Sequence, residues 1–501
     1  MALPSPTPLN EPARQPALAF PAASSTITTS ALCSPSTGKE RAMRILIFTN
    51  AYKPLVSGVV TSISLFRYGL IRAGHDVHII APEHESHQDD EPYVFRFPSL
   101  DLPEKLNLSL VLPFKTTMAP TVRGIKPAVI HSQHPFVMGG LAAAFARDLG
   151  LPLVFTFHTR YDVYAQRYVP IAPKLAGMVT DEIVRRYLEK CTHVIAPTPS
   201  VRDFILREYR PEVPVTVIPT PVCLEQYADL QPQRIRAQLR LQQAEMLLYV
   251  GRLTGEKNLD FLLRAFADIA ARRPRARLVL VGTGIHERNL KRLARKLGLK
   301  RKVIFVGAVP HQDVRHYAAA ADLFVFTSLS DTQGLVLTES LAAGTPVVAV
   351  RAPGPLDVLA DGGGVLVSED EEEFAQAVVN LLGDRARLRA MREEARRVAQ
   401  RYSIHATVEQ LLTVYEQAIS DAARHGWRPL REQQRISGDT WREIVAQIRA
   451  LGENLSTSFR TAWDDEESRW YLQGYLQEVR ASLEETIGEI DRVIQEGRRS
   501  N

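Results

Sequence analysis

The most constraining feature of this sequence is a succession of short, continuous apolar runs, each followed by text with helical periodicity. Examples are ILIF at residues 45–48, MLLYV at 246–250 and LFVF at 323–326. Strands that are apolar throughout, without alternation, are buried on both faces, which is typical of parallel sheets covered by helices. The sequence therefore predicts an α/β fold built from doubly wound, Rossmann-like parallel sheets.

The strand and helix succession occurs twice, so we predict two such domains. Residues 43–225 form the first, and residues 245–423, with a terminal helix, form the second. A polar, glutamine-rich stretch at 226–244 is predicted to be the linker between them. Two α/β domains joined in this way face a cleft, and ligands bind such sheets at the carboxyl ends of their strands.

The two ends of the chain differ in composition from these domains. Residues 1–42 are rich in Pro, Ser, Thr and Ala and lack the charged start and apolar centre of a secretory signal. They are predicted to be a disordered N-terminal tail, with Met43 as an alternative start. In residues 424–501, apolar positions recur in two stripes at helical spacing, which predicts a C-terminal helical hairpin extension. These stripes either pack on each other or on the body, or dock on a membrane surface or a partner.

Charge and cysteine content restrict the class of function. The net charge is +5, which does not indicate a nucleic-acid partner. The three cysteines lack metal or disulfide spacing, as expected of a cytoplasmic protein, and no apolar run is long enough for a transmembrane helix. There is no D-x-D at a strand end and no His/Cys cluster, so we expect no metal and no other cofactor. The oligomeric state is left open.

A loop with two acids and a glycine follows the apolar run LFVFTS. In this loop, SDTQGLVLTES, Gly334 allows close approach of the backbone to a ligand. Leu335 and Val336 then begin a helix, whose first amides have no internal partner and favour phosphate. Asp331 is positioned to bind sugar hydroxyls and Glu339 to bind a ribose diol. A nucleotide-sugar carries all three of these groups.

A second loop, VGRLTGEKN, places Arg252 and Lys257 near the carboxyl end of a strand. Two fixed cations there suit a pyrophosphate, because they neutralise a departing diphosphate. The alternative is ordinary surface charge. A strand-end glycine turn, VGTG, contains Gly282 and Gly284 and is a weak signal by itself.

These motifs resemble those of a known family. Asp331, Gln333-Gly334 and Glu339 resemble the E-x-F/Q-G-x-x-x-x-E-A signature of the retaining family-4 glycosyltransferases, which have the GT-B fold. Arg252 and Lys257 match the family's G-R-x-x-x-x-K. The form T-Q-G is most similar to the bacterial diacylglycerol glucosyltransferases. Asp331 stands where the family usually has Glu.

The resemblance implies roles for individual residues. Gly58, in KPLVSGVV, matches the family's glycine loop over the donor phosphates. His158, in TFHTRYD, matches the histidine that faces the transferred sugar, and His134 in SQHP is a weaker candidate. The residues assigned to catalysis are His158, Asp331, Arg252 and Lys257. Those assigned to donor binding are Gly58, Arg252, Lys257, Gly282, Gly284, Gly334, Leu335, Val336 and Glu339.

The resemblance further implies a hexosyltransferase that moves a hexose, expected to be glucose, from a UDP-sugar to 1,2-diacylglycerol with retention of configuration. Such an enzyme is expected to be peripheral on the inner face of the cell membrane. The segment LPEKLNLSLVLPFKTTMAPTVRGIKP, with Lys105, Lys115, Arg123 and Lys126, either meets anionic head groups or packs on the sheet. The alternative functions are a soluble glycosyltransferase with a sugar or polysaccharide acceptor, and a nucleotide-sugar epimerase or inactive scaffold on the same fold.

Overall fold

A computed structural model describes residues 42–425 apart from short gaps. The gaps are residues 85–86, 88, 90, 98, 102–108, 112–114 and 162–172. The predicted N-terminal tail and helical hairpin extension lie outside the described residues, except for their innermost positions.

Strands and helices alternate through the first domain. Its strands are β1 (Arg44–Phe48), β2 (Asp76–Pro82), β3 (Val94–Phe97), β4 (Ser99–Asp101), β5 (Ser109–Val111), β6 (Val129–Ser132), β7 (Leu153–Thr156), β8 (His193–Ala196) and β9 (Val215–Val217). Its helices are α1 (Gly58–Arg72), α2 (Lys115–Ile125), α3 (Met138–Leu149), α4 (Pro173–Glu189) and α5 (Pro199–Glu208).

Seven of these strands form one parallel sheet in the order β3-β2-β1-β6-β7-β8-β9, and β4 pairs with β5 as a separate antiparallel ribbon. The central strand β1 pairs Ile45 with Val77 of β2 on one side and with Val129 of β6 on the other. Ile45 to Phe48 are at most 1% exposed, because helices cover both faces of the sheet.

The second domain repeats this arrangement. Its strands are β10 (Glu245–Val250), β11 (Ala276–Val281), β12 (Val303–Gly307), β13 (Leu323–Phe326), β14 (Val347–Val350) and β15 (Gly364–Val367). The helices that follow the first domain are α6 (Pro232–Gln238), α7 (Leu259–Arg272), α8 (Glu287–Lys296), α9 (His311–Ala320), α10 (Leu335–Ala342), α11 (Pro353–Val358), α12 (Glu371–Gly383), α13 (Arg385–Ala399) and α14 (Ile404–His425).

The second sheet is parallel and has the order β12-β11-β10-β13-β14-β15. In both sheets, successive strands are added first on one side of the first strand and then on its other side. The reversal lies between β1 and β6 in the first sheet and between β10 and β13 in the second. Two doubly wound, Rossmann-like domains are therefore present, as predicted, and each has one topological switch point where ligands bind.

The segment predicted to be a linker, residues 226–244, is instead part of the second domain's packing. It contains α6, whose Ile235 is buried in the second domain's core together with Leu241. Arg236 donates hydrogen bonds to the carbonyl of Ala320 and to Asp322. The glutamine-rich composition did not indicate this helix, because only two apolar side chains are needed to anchor it.

The last described helix also differs from its predicted place. We assigned it to the second domain, but α14 packs on the first sheet, where Val408, Leu411 and Tyr415 join the core formed by α1 and β1. A Cβ at Gly69 of α1 would lie 2.5 Å from Ile404 Cγ2, so the two helices cross closely. The chain therefore crosses between domains twice, and the crossings touch where Val222 N donates to Tyr402 O at 2.6 Å.

The described part of the proposed membrane segment includes α2. Its Met118, Val122 and Ile125 are buried against the first sheet, whereas Arg123 and Lys126 are exposed. Of the two alternatives for this segment, packing on the sheet therefore holds for these apolar side chains. The side chains of Lys105 and Lys115 are outside the part of the chain that the structure describes. Among the described helices, none combines the length and apolarity needed to span a bilayer.

Candidate functional site

The loops after four strands meet at the two switch points. In the first domain, β1 leads to the loop before Gly58, and β6 leads to Gln133 and His134. In the second domain, β10 leads to Arg252, and β13 leads to Asp331. Since the carboxyl ends of parallel strands share one edge of their sheet, the sequence motifs converge in each domain.

Lys257 and Asp331 form an ion pair. Lys257 Nζ donates to Asp331 Oδ1 at 2.8 Å and to Oδ2 at 2.9 Å. The strand end places the lysine, because Thr327 Oγ1 donates to the Lys257 carbonyl at 2.9 Å. Burial raises the pKa of Asp331, but the charge and hydrogen bond of Lys257 and the charge of Arg252 outweigh it, so the pKa is lowered overall. Asp331 is therefore ionised at neutral pH.

Arg252 is held by an acid that the sequence analysis did not single out. Glu256 is buried and lies 3.1 Å from Arg252 Nη2, and it also accepts from Thr254 Oγ1. The Arg252 side chain is about half exposed, so its guanidinium is accessible from the cleft side of the loop. The signal available in the sequence was an acid between the two cations of VGRLTGEKN.

The glycine turn VGTG supports the Arg252 loop by close packing. A Cβ at Gly282 would lie 2.0 Å from the Gly251 carbonyl oxygen, and one at Gly284 would lie 2.3 Å from that of Leu253. Leu253 N donates to Thr283 O at 2.9 Å, which ties the two turns together. These glycines are thus required by the contact between two backbones, and they position Arg252.

The N-termini of two helices, one from each domain, lie close together. Gly334 adopts φ +75° and begins α10 without a side-chain cap, which leaves the first amides, including those of Leu335 and Val336, without side-chain partners. Gly58 is the first residue of α1, and a Cβ there would lie 3.5 Å from Leu335 Cδ1. Both helix dipoles favour an anion between the domains, beside the Arg252 and Lys257 cations.

Glu339 lies on the second turn of α10 and contacts His311 of α9. His311 Nε2 is 3.2 Å from Glu339 Oε1, and the Glu339 side chain is only 12% exposed. Burial lowers the pKa of His311, but the hydrogen bond and the charge of Glu339 raise it further, so the net shift is upward. His311 was not selected from the sequence, since nothing in GAVPHQ marks it as a partner of a residue 28 positions away.

His158 lies in the first domain, just after β7. Its Nε2 is 2.7 Å from Gln133 Oε1, which assigns the Nε2–H tautomer and leaves Nδ1 as an acceptor. Burial, with smaller contributions from His134 and His131, lowers the pKa of His158 to about 3. The imidazole is therefore neutral and can exchange hydrogen bonds with a hydroxyl group, but it contributes no positive charge.

His134 lies beside the same switch point. Its Nδ1 accepts from the backbone N–H of Asn50 at 3.2 Å, and burial lowers its pKa to about 4. Asn50 in turn caps α3 by accepting from Met138 N at 3.2 Å. His134 thus orders the loop after β1, and it is neutral like His158.

Gln333 is buried in the loop between β13 and α10 and is only 2% exposed. Its amide oxygen accepts from Thr220 N at 2.8 Å and its amide nitrogen donates to Thr220 O at 3.2 Å. Thr220 belongs to the crossing between the domains. The T-Q-G motif therefore contains an interdomain contact, which the sequence did not indicate.

Within the described part of the chain, no three His, Cys, Asp or Glu side chains are grouped so as to hold a metal ion. The charged groups at the switch point of the second domain include Arg252 and Lys257 of the VGRLTGEKN loop and Asp331. The arrangement can bind a diphosphate with backbone amides and two cations, and it can offer Glu339 to vicinal hydroxyls.

Comparisons with known proteins agree with this arrangement. Residues 231–398 match the family model for glycosyl transferases group 1, and residues 56–226 match that for glycosyltransferase family 4. The alpha-monoglucosyldiacylglycerol synthase of Streptococcus pneumoniae is 31% identical over 347 residues, which are 68% of this chain and 78% of that protein.

Solved structures share the fold. Sucrose-phosphate synthase from Thermosynechococcus elongatus superposes with a TM-score of 0.64 at 23% identity, covering 76% of this chain and 100% of the other. HepE of Anabaena, in complex with UDP and glucose, has a TM-score of 0.61 at 18% identity, covering 75% and 100%. With both domains matched by family models, the chain belongs to the group 1 and family 4 glycosyltransferases with the GT-B fold, and it is a hexosyltransferase.

Proposed function

We propose that the enzyme transfers glucose from UDP-glucose to 1,2-diacylglycerol at a membrane surface, with retention of the anomeric configuration. The observation that carries the donor assignment is that two helix N-termini, at Gly58 and Leu335, lie close together in a domain pair whose second switch point holds Arg252 and Lys257. A diphosphate fits this environment because amide dipoles and cations both favour it. The 31% identity to a monoglucosyldiacylglycerol synthase supports the acceptor.

The roles follow from the contacts. Glu339 would accept hydrogen bonds from the ribose diol, and the first amides of α10 would bind the phosphates. Asp331 and neutral His158 would bind hydroxyls of the transferred sugar from opposite domains, and Gln133 would keep the His158 ring oriented. Arg252 and Lys257 would stabilise the charge that develops on the leaving diphosphate, so we propose that no metal is required.

In the proposed step, the bond between the anomeric carbon and the diphosphate oxygen breaks while the acceptor hydroxyl attacks from the same face. The new glycosidic bond forms to the acceptor oxygen, and the acceptor proton passes to a phosphate oxygen of UDP. No protein base is needed for this transfer, which agrees with two histidines whose lowered pKa values keep them neutral.

The deciding experiment is transfer of radiolabelled glucose from UDP-glucose to liposomes with and without diacylglycerol, read as label in the organic phase. We expect diacylglycerol-dependent label, an α-linked product by NMR and no loss of activity in EDTA. Lys257→Met should abolish transfer, whereas Lys291→Met, which removes an exposed lysine paired to Glu287 on α8, should not.

Other outcomes select the alternatives. Binding of UDP-glucose without organic-phase label indicates a soluble acceptor. Conversion of UDP-glucose to another UDP-hexose without any acceptor indicates an epimerase. A β-linked product contradicts retention.

A further inference from the structure

The loop from Asp331 to Gly334 belongs to the second domain, yet its two middle residues bond to the first. Thr332 Oγ1 donates to the His158 carbonyl at 2.8 Å. Thr198 Oγ1 donates to the Thr332 carbonyl at 3.0 Å. These two contacts lie at the carboxyl ends of β7 and β8, so the loop reaches the ligand-binding edge of the first sheet.

Gln333 makes the third connection, at the end of β9. Its side-chain amide pairs with both backbone groups of Thr220, as a neighbouring strand would. Because Gln333 is 2% exposed, loss of this pairing would leave buried polar groups without partners, which is costly. Thr220 Oγ1 donates to Ser62 Oγ on α1 at 3.1 Å, which connects Gln333 to the helix that begins at Gly58.

Each connection is adjacent to a residue of the candidate site. Thr332 follows Asp331 in the chain and bonds to the backbone of His158 itself. Gln333 precedes Gly334, which begins α10. Two side chains, Thr332 and Gln333, therefore connect the donor-binding half with the half that contains His158.

A second interdomain contact is made by residues that are not adjacent in the chain to any residue of the candidate site. Asp357 of α11 accepts from Ser200 N at 2.8 Å and from Ser200 Oγ at 3.0 Å, where Ser200 lies on the first turn of α5. Neither residue neighbours an assigned site residue in the chain. It offers a matched control, since it connects the same two domains with hydrogen bonds of the same kind.

We propose that Thr332 and Gln333 are positioning residues, which hold the two halves of the cleft in the separation required for glycosyl transfer. The proposal rests on the proposed function for its kinetic consequence, but the interdomain separation is measurable without it. Every residue assigned to donor binding except Gly58 lies in the second domain. Loss of either side chain should therefore impair transfer far more than donor binding.

The test uses Thr332→Val and Gln333→Leu, which remove the hydrogen bonds and keep the approximate size. Thr332→Ser is the conservative rescue and Ser200→Ala is the control. UDP affinity is measured by calorimetry, and kcat and the donor KM are measured with UDP-glucose and diacylglycerol liposomes. Spin labels at the exposed positions Arg207→Cys and Glu393→Cys report the interdomain distance by pulsed EPR, with melting temperature as the check on folding.

We expect Thr332→Val and Gln333→Leu to lower kcat by about 10- to 100-fold, because misplacement by about 1 Å has effects of this size. UDP affinity and donor KM should stay within about twofold, and the distance distribution should broaden or shift. Thr332→Ser should restore the wild-type values, and Ser200→Ala should match the wild type in kcat.

The proposal is overturned if the distance distributions are unchanged, if UDP affinity and kcat fall by the same factor, or if Ser200→Ala has an equal effect on kcat. If the wild-type protein transfers no glucose to diacylglycerol, the proposed function has failed. In that case the EPR distances by themselves test the positioning role. Broader distance distributions in both variants support this role, and unchanged distributions overturn it.

Discussion

Two carboxylates of the candidate donor site contact different basic partners. Asp331 is paired to Lys257 at 2.8 Å within the second domain's switch point, and Glu339 contacts His311 on the neighbouring helix at 3.2 Å. Asp331 lies in the loop that meets the first domain, whereas Glu339 lies on the second turn of α10. The two acids should therefore act on different parts of a nucleotide-sugar.

Substitution of these acids should separate binding from transfer. We expect Glu339→Ala to weaken UDP binding by about 10- to 100-fold, because each hydrogen bond to a charged group contributes about 1.5–3 kcal/mol. Asp331→Asn should leave UDP affinity within about twofold, because the donor contacts proposed for Asp331 are to sugar hydroxyls and not to UDP. It should lower kcat by about 10- to 100-fold. Calorimetry and steady-state kinetics measure the two effects. Glu409→Ala, at an exposed position on α14, is the control, and equal effects of both substitutions on both quantities would contradict the assignment.

The contact between His311 and Glu339 should make stability depend on pH. Glu339 raises the pKa of His311 above its ordinary value despite burial, while the nearby charge of Arg315 lowers it slightly. A raised folded-state pKa contributes stability that is full below the unfolded pKa, near 6.5, and is lost as the pH rises through the folded pKa. The contribution is therefore full at pH 5.5 and smaller at pH 9.

We therefore expect His311→Gln to lower the melting temperature by about 2 °C at pH 5.5 and by much less at pH 9, as for a partly buried pair of about 0.5–1 kcal/mol. Differential scanning calorimetry at the two pH values measures this. His405→Gln removes an exposed histidine that lies 3.5 Å from Glu409, and it should give no such difference. A larger loss at pH 9 than at pH 5.5 would reverse the sign and reject the explanation.

At the scale of elements, the central strands were predictable because burial on both faces leaves a continuous apolar run. β1, β2, β10 and β13 all follow this rule, and helices such as α10 begin where the glycine and polar signals place them. The short outer strand β9 could not be predicted in this way, because its three residues are only partly buried and do not form a continuous apolar run.

The placement of elements was harder to predict than their existence. Helical periodicity shows that α14 has an apolar face, but it does not show which sheet covers that face. For the same reason, Arg252, Lys257, Asp331 and Glu339 could be selected from local motifs, whereas Gln133 and His311 could not. Gln133 contacts His158, which is 25 residues away, and His311 contacts Glu339, which is 28 residues away. Only the tertiary structure brings the members of each pair together.

At the scale of the molecule, the two domains share one helix. α14 leaves the second domain at Tyr402 and Ser403 and covers the first sheet, where Tyr415 fills a buried position. Its hydroxyl is 2.7 Å from His131 Nδ1, and His131 Nε2 is 2.8 Å from Thr156 Oγ1. Burial lowers the pKa of His131 to about 3, so the neutral ring uses one nitrogen as donor and the other as acceptor.

This buried triad predicts how the first domain depends on the last described helix. Tyr415→Phe keeps the ring but leaves His131 Nδ1 without its partner, which should cost about 1–3 kcal/mol. The first domain's melting temperature should fall by about 2–4 °C for each kcal/mol, measured by calorimetry. UDP binding should change little, since all of the proposed donor contacts except Gly58 lie in the second domain. Thr413→Val, which removes an exposed hydroxyl of the same helix, is the control. An equal fall in melting temperature in both variants would mean that the hydroxyl of Tyr415 contributes nothing specific to the packing of α14 on the first sheet.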